Sequence, residues 1–188
     1  MSGQICGDST RVVHPLFPTE GDGSIPISPL QLEVAELDMR KAQELNQLWH
    51  SRLPVTHLGN LVGNHANVAY AGIYENRFYA VAIWTDPVAR MLNGKGFLEL
   101  RRMAIASDAP RNTGSRMLSV MRKMIRRKFP HIKKLISYQD TEVHHGTIYK
   151  SSGWVAASRS TVNGKGWNTR RRAAMQTTAD KIRWEIGL

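Results

Sequence analysis

Among the many side chains of this 188-residue chain that can move protons, His50 falls at a helix end, Asp140 at a strand end and Tyr149 in a short helix. An imidazole or a carboxylate takes the proton of an attacking amine, and a phenol returns one to a leaving group. A second grouping, Arg111-Asn112-Thr113-Gly114-Ser115-Arg116, lies between an apolar stretch and a long helical pattern. A glycine-bearing turn at a helix start offers backbone N–H groups to phosphate, and its plain alternative is an ordinary helix-initiating turn. A third grouping is electrostatic. Residues 111–134 hold nine basic residues and no acidic one, and a second cluster sits at Arg170-Arg171-Arg172. Arg122, Lys123, Arg126 and Arg127 share one side of the helical pattern, as a polyanion-binding stripe or as a solvated face.

Composition bounds the rest. The formal net charge is +11 and hydrophobic residues make up 41%, enough for a core. No apolar run approaches the roughly 20 residues of a membrane span, and the start lacks a signal-peptide pattern. Cys6, the single cysteine, excludes an intrachain disulfide and a cysteine-only zinc site. His144-His145 are adjacent, so their side chains diverge, while His50, His57 and His65 are spread along the chain. These features predict a soluble, cytoplasmic, basic globular domain.

The elements that must position these residues follow from periodicity. Residues 1–29, rich in Gly, Pro and Ser, predict a flexible arm, and residues 30–188 a single domain. Gln31–Leu37 alternates as a strand, and Asp38 caps a helix with Ala42, Leu45, Leu48 and Trp49, stopped by Leu53-Pro54. Val68–Tyr74 and Phe78–Thr85 form a hairpin through Glu75-Asn76, and Phe97–Ile105 is a further strand. Met117, Leu118, Met121, Met124, Ile125 and Phe129 mark a helix closed by Pro130. Lys134–Tyr138 is a strand and Thr147–Ser152 a short helix closed by Gly153. Trp154–Ala157 and Lys181–Ile186 are final strands. The order predicts an α/β (α+β) domain, a mixed central sheet flanked by helices.

Two motifs together resemble the GNAT acyltransferase superfamily. Arg111-Asn112-Thr113-Gly114-Ser115-Arg116 is similar to its R-x-x-G-x-G/A loop, which implies acyl-CoA binding, although Arg116 replaces the final small residue. Tyr149-Lys150 before Gly153-Trp154 is similar to the segment whose tyrosine protonates the departing CoA thiolate. A third set narrows the resemblance to the phage Mom DNA-modification proteins, a divergent GNAT-like branch. Ser137-Tyr138-Gln139-Asp140 followed by His144-His145-Gly146-Thr147-Ile148-Tyr149 is similar to their S-Y-x-D and H-x-G-x-x-Y segment. Trp49-His50-Ser51-Arg52-Leu53-Pro54 resembles their H-Y-S-R-x-x-P segment, with Ser51 in place of the tyrosine. Glu99-Leu100-Arg101-Arg102-Met103 and Pro110-Arg111-Asn112 with Ser115 resemble an E-L-x-R-L strand and a P-x-N-x-x-S loop.

The resemblance implies an enzyme that modifies the exocyclic N6 amine of adenine in DNA with an acyl- or carbamoylmethyl-type group and so shields phage DNA from restriction. Asp140, Tyr149 and His50 carry the catalytic roles by this resemblance. It also brings in iron, with His50 and Asp140 as ligands. That amine is a poor nucleophile because its lone pair is delocalised, so a proton acceptor is needed. The base must leave the duplex stack, which calls for aromatic faces and cations. Tyr138, Trp49 and Trp154 are candidates to stack, and the arginines and lysines of 122–127 to hold the backbone. Two other readings stand beside it: a conventional N-acetyltransferase for a small amine or protein, and a non-catalytic DNA-binding module.

Overall fold

The computed structural model describes residues 24–50, 66–161 and 180–188. Cys6, Ser51, Arg52, His57, His65, Arg170, Arg171, Arg172, the Leu53-Pro54 stop and most of the expected arm lie outside the described residues. Residues 24–29 lie on the domain: Ser24 bonds the Tyr74 hydroxyl at 2.9 Å, and Ser28 caps a 3-10 turn at Pro29–Gln31.

Strand β1 (Glu33–Leu37) leads into helix α1 (Met39–Trp49), whose first amides, Arg40 and Lys41, donate to the Asp38 carboxylate at 2.9 and 3.2 Å. The helix stops at Trp49, because His50 takes an extended ψ of 113°. Strands β2 (Asn67–Tyr74) and β3 (Arg77–Thr85) form the expected hairpin. Its turn holds Glu75 and Asn76 at φ 46° and 62°, the mirror-image turn that matches strand twist. Strand β4 (Phe97–Ile105) precedes α2 (Thr113–Lys128), β5 (Lys134–Asp140), α3 (Thr147–Ser151), β6 (Val155–Ser160) and β7 (Lys181–Gly187).

The strands form one mixed sheet in the order β1-β2-β3-β4-β5-β7-β6, antiparallel except for the parallel pair β4–β5. A parallel pair needs a crossover, which α2 supplies. One face packs under α2 and α3, where Met117, Leu118, Met121 and Ile125 meet Tyr70, Trp84, Leu98, Leu135 and Trp184. The other packs under α1, where Ala42, Leu45 and Trp49 meet Ala69, Val81, Ile83 and Ala104. The apolar stripes of both helices are those the periodicity predicts.

Candidate functional site: the parting of two parallel strands

Strands β4 and β5 pair from Phe97 with Lys134 to Leu100 with Ser137. Both continue, β4 to Ile105 and β5 to Asp140, but no longer with each other. Beyond Ser137, β5 pairs among the described residues only on its far side, to β7, as far as Asp140 with Lys181. On β3, Ile83 opposes Arg102 while Trp84 opposes Leu100, so Arg101 is the extra residue of a β-bulge. A bulge bends its strand and re-aims side chains, and it sits where the two strands separate. The sheet is therefore open between β4 and β5.

Tyr149 approaches this opening from the α2–α3 face. Its ring stacks on Trp184 at 5.4 Å and meets Trp154 edge-on at 5.6 Å. Its hydroxyl bonds the Ser137 hydroxyl at 2.8 Å, on the last residue of β5 paired with β4. Gly146 fixes where α3 begins. It has φ 70°, and a Cβ there would lie 2.5 Å from Gln139 Oε1 and 2.7 Å from the Trp184 ring. Gln139, buried, accepts from Trp184 Nε1 at 2.7 Å and donates to the His144 carbonyl. These contacts lock the 140–146 loop to the sheet and aim Tyr149.

Asp140, His144 and His50 belong to the opposite side. The Asp140 carbonyl accepts from His144 N–H at 3.0 Å, and its carboxylate accepts from Glu142 N–H at 3.0 Å. His50, at the C-terminal end of α1, is half-buried, within electrostatic reach of Arg102 and His144. Burial first, then the Arg102 charge and His144, lower its pKa to about 4, so its imidazole is neutral at pH 7. Arg102 reaches this side because the bulge places it opposite Ile83, in the α1 core. Of the three predicted catalytic residues, His50 feels the charge of His144, and Asp140 bonds the His144 backbone. Tyr149 stands across the sheet from them, with the β4–β5 opening between.

At the start of α2, Asn112 takes the left-handed conformation, φ 65°, and no side chain caps the helix. Arg111 and Asn112 are exposed, Thr113 Oγ1 donates to the Pro110 carbonyl at 2.6 Å, and the buried Nε of Arg116 has no partner among the described residues. Ser115 is engaged elsewhere, its hydroxyl with that of Ser151 at 2.7 Å. Gly114 has a packing role: a Cβ would lie 2.9 Å from Met103 Cε and 3.0 Å from Ile148. Its absence lets the helix settle against β4 and α3.

Along α2, Lys123, Arg126 and Arg127 are exposed, while Arg122 is half-buried and donates to the Gly187 carbonyl at 2.9 Å. Of the aromatic candidates for stacking, Trp49 and Trp154 are 7% and 4% exposed and belong to the two cores, so neither offers a face. Tyr138 remains. Among the described residues no three His, Cys, Asp or Glu side chains come together. The sequence reading missed Arg101, Arg102, Arg183 and the buried Asn46. The one available signal was an Arg-Arg pair inside an apolar strand, which breaks strict alternation as a bulge does.

The architecture is shared with solved acyltransferases. A GNAT-family acetyltransferase from Streptococcus pneumoniae superposes with a TM-score of 0.58 at 12% identity, over 84% of this chain and 99% of that one. The ribosomal-protein-S18-alanine N-acetyltransferase from Escherichia coli gives 0.56 at 13% identity, over 83% and 93%. A Bacillus subtilis acetyltransferase in complex with CoA gives 0.54 at 10%, over 84% and 99%. At these identities the likeness is one of fold. Among curated protein sequences there is no match. The sequence profile of the Mom protein family, by contrast, matches residues 31–186, a span that contains all of the sheet but the last residue of β7, the parting of β4 and β5, and His50, Asp140 and Tyr149. The chain therefore belongs to the Mom protein family, as a divergent member of the GNAT-like fold.

Proposed function

We propose that this protein is a transferase that modifies the exocyclic N6 amine of adenine in DNA, protecting phage DNA from host restriction. The observation that carries the reading is the opening between β4 and β5, with Tyr149 on one side and His50 and Asp140 on the other. A group transfer to an amine needs a donor of protons for the leaving group and an acceptor for the amine proton, kept apart so that they do not neutralise each other. Neutral His50 accepts a hydrogen bond from the amine, and the Asp140 carboxylate takes its proton. Tyr149, hydrogen-bonded to Ser137, supplies a proton at the leaving atom. The uncapped start of α2 and the unpartnered Nε of Arg116 suit the diphosphate of an acyl-CoA, which when bound would supply an activated carbonyl. Lys123, Arg126 and Arg127, with the basic cluster Arg170–Arg172 of the sequence, hold the DNA backbone.

The test is mass spectrometry of nucleosides from DNA co-expressed with the protein. Wild type yields a modified deoxyadenosine, and Asp140→Ala and Tyr149→Phe abolish it while DNA affinity stays within about threefold. Only the four ordinary nucleosides, with folded wild type present, would overturn the reading.

A further inference from the structure

The face of the sheet that carries Asp140 holds a cluster the reaction above does not use. The bulge at Arg101 puts Arg101 and Arg102 on one side of β4 in succession, next to Glu99. In β5 that face presents Tyr138 two residues before Asp140, and β7 places Arg183 directly across from Tyr138. Arg101 pairs with Glu99 at 3.4 Å and Arg183 with Glu185 at 2.9 Å, so two carboxylates answer three guanidiniums. The Nε atoms of Arg101, Arg102 and Arg183 are all buried and without a partner among the described residues. A buried N–H donor without an acceptor is costly, and three on one face mark a surface shaped for an anion. Between them Tyr138 is 37% exposed, unlike Tyr70, Tyr79 and Tyr149, which are buried.

Guanidiniums around an exposed aromatic ring match a ligand with a flat ring and a phosphate, that is, a nucleotide. We propose that this face is the acceptor platform: Tyr138 stacks the reacting nucleobase, and Arg101 and Arg183 hold the phosphodiester beside it. The proposal rests on the reading of the protein as a DNA-modifying transferase and names the residues that present the base. The stack sets the ring on the Asp140 side of the opening, so its amine faces the strands' gap. Tyr138 acts by binding and Asp140 by chemistry, which separates their effects: loss of the stack raises KM, loss of the carboxylate lowers kcat.

The experiment uses a single-stranded oligonucleotide with one 2-aminopurine, a fluorescent adenine analogue, and a matching adenine oligonucleotide assayed for modification. Wild type quenches the analogue on binding, and Tyr138→Phe, which keeps the ring, behaves like it. Tyr138→Leu loses the quench and raises the KM for DNA about tenfold, the scale of one base–aromatic stack, with kcat within about threefold. Arg183→Gln flattens the dependence of log affinity on log salt by about 0.7, one phosphate contact on a single strand. If Tyr138→Leu quenches and binds as wild type does while adenine is still modified, the platform is wrong and the transferase reading stands. An unchanged salt slope in folded Arg183→Gln overturns the phosphate assignment. If wild type itself neither binds nor modifies the oligonucleotide, the transferase reading fails and the platform with it.

Discussion

The lowered pKa of His50 makes a prediction about stability that is independent of substrate. In the unfolded chain the imidazole titrates near 6.5, and in the fold near 4, because burial and the Arg102 charge disfavour the cation. The folded state therefore binds fewer protons than the unfolded state between these values. Stability from this group is present above the unfolded pKa and is lost as pH falls from about 6.5 toward 4. At pH 5 the proton-binding factors differ by about thirtyfold, or about 2 kcal/mol, and the full difference approaches about 3 kcal/mol below pH 4. The perturbation is His50→Gln, which keeps hydrogen-bonding capacity and removes the titration. Urea unfolding at intervals from pH 7.5 to 4.5 isolates the effect, since every other titratable group is common to both proteins. Wild type is expected to lose about 2 kcal/mol more than His50→Gln between pH 7.5 and 5. Parallel stability curves would refute the burial of His50 beside Arg102, and with it the neutral acceptor assigned to the reaction.

Gly146→Ala forces a Cβ into the left-handed region and onto Gln139 and Trp184, so a loss of about 3 kcal/mol or more in chemical denaturation is expected. Tyr149→Phe leaves the Ser137 hydroxyl without its partner and is expected to cost about 1–2 kcal/mol by the same measurement. Asn46 is fully buried with neither amide atom bonded among the described residues. Asn46→Leu, of similar size, is expected to raise stability by about 1 kcal/mol, as a higher urea midpoint. Replacing both Arg126 and Arg127 by Gln is expected to flatten the salt dependence of duplex binding by about 2, measured by fluorescence anisotropy.

Much of the fold was legible because local signals agreed. Phe97–Ile105 matches β4 at both ends, the Asp38 cap starts α1, and the Glu75-Asn76 turn sets the hairpin. The chain order of Asp140 and Tyr149 was legible too, and so was the helix end that carries His50. The opposition of these groups across the sheet was not, since it depends on where β4 and β5 cease to pair, a register between residues 37 positions apart. Gly114 looked like a residue chosen to admit phosphate, whereas its close approach is to Met103 and Ile148. Trp49 and Trp154 looked like stacking surfaces because an aromatic residue reads alike whether buried or exposed, and only the packing of α1 and α3 decides.

The bulge at Arg101 ties these observations together. Without it β4 would alternate strictly, and Arg102 would share the side of Leu100, in the apolar core beneath α2. One inserted residue instead keeps Leu100 and Met103 under α2 and turns Arg101 and Arg102 together to the side of His50 and Tyr138. The same insertion bends β4 where it leaves β5. A single local irregularity thus lies where the sheet opens, sets the charge that adds to burial in lowering the His50 pKa, and supplies cations beside Tyr138. Arg102→Gln removes that charge from the side of His50 and should raise the His50 pKa above about 4, because the Arg102 charge adds to burial in lowering it. An NMR titration of His50 in folded Arg102→Gln that gave an unchanged value would show that the charge the bulge places there does not act on His50.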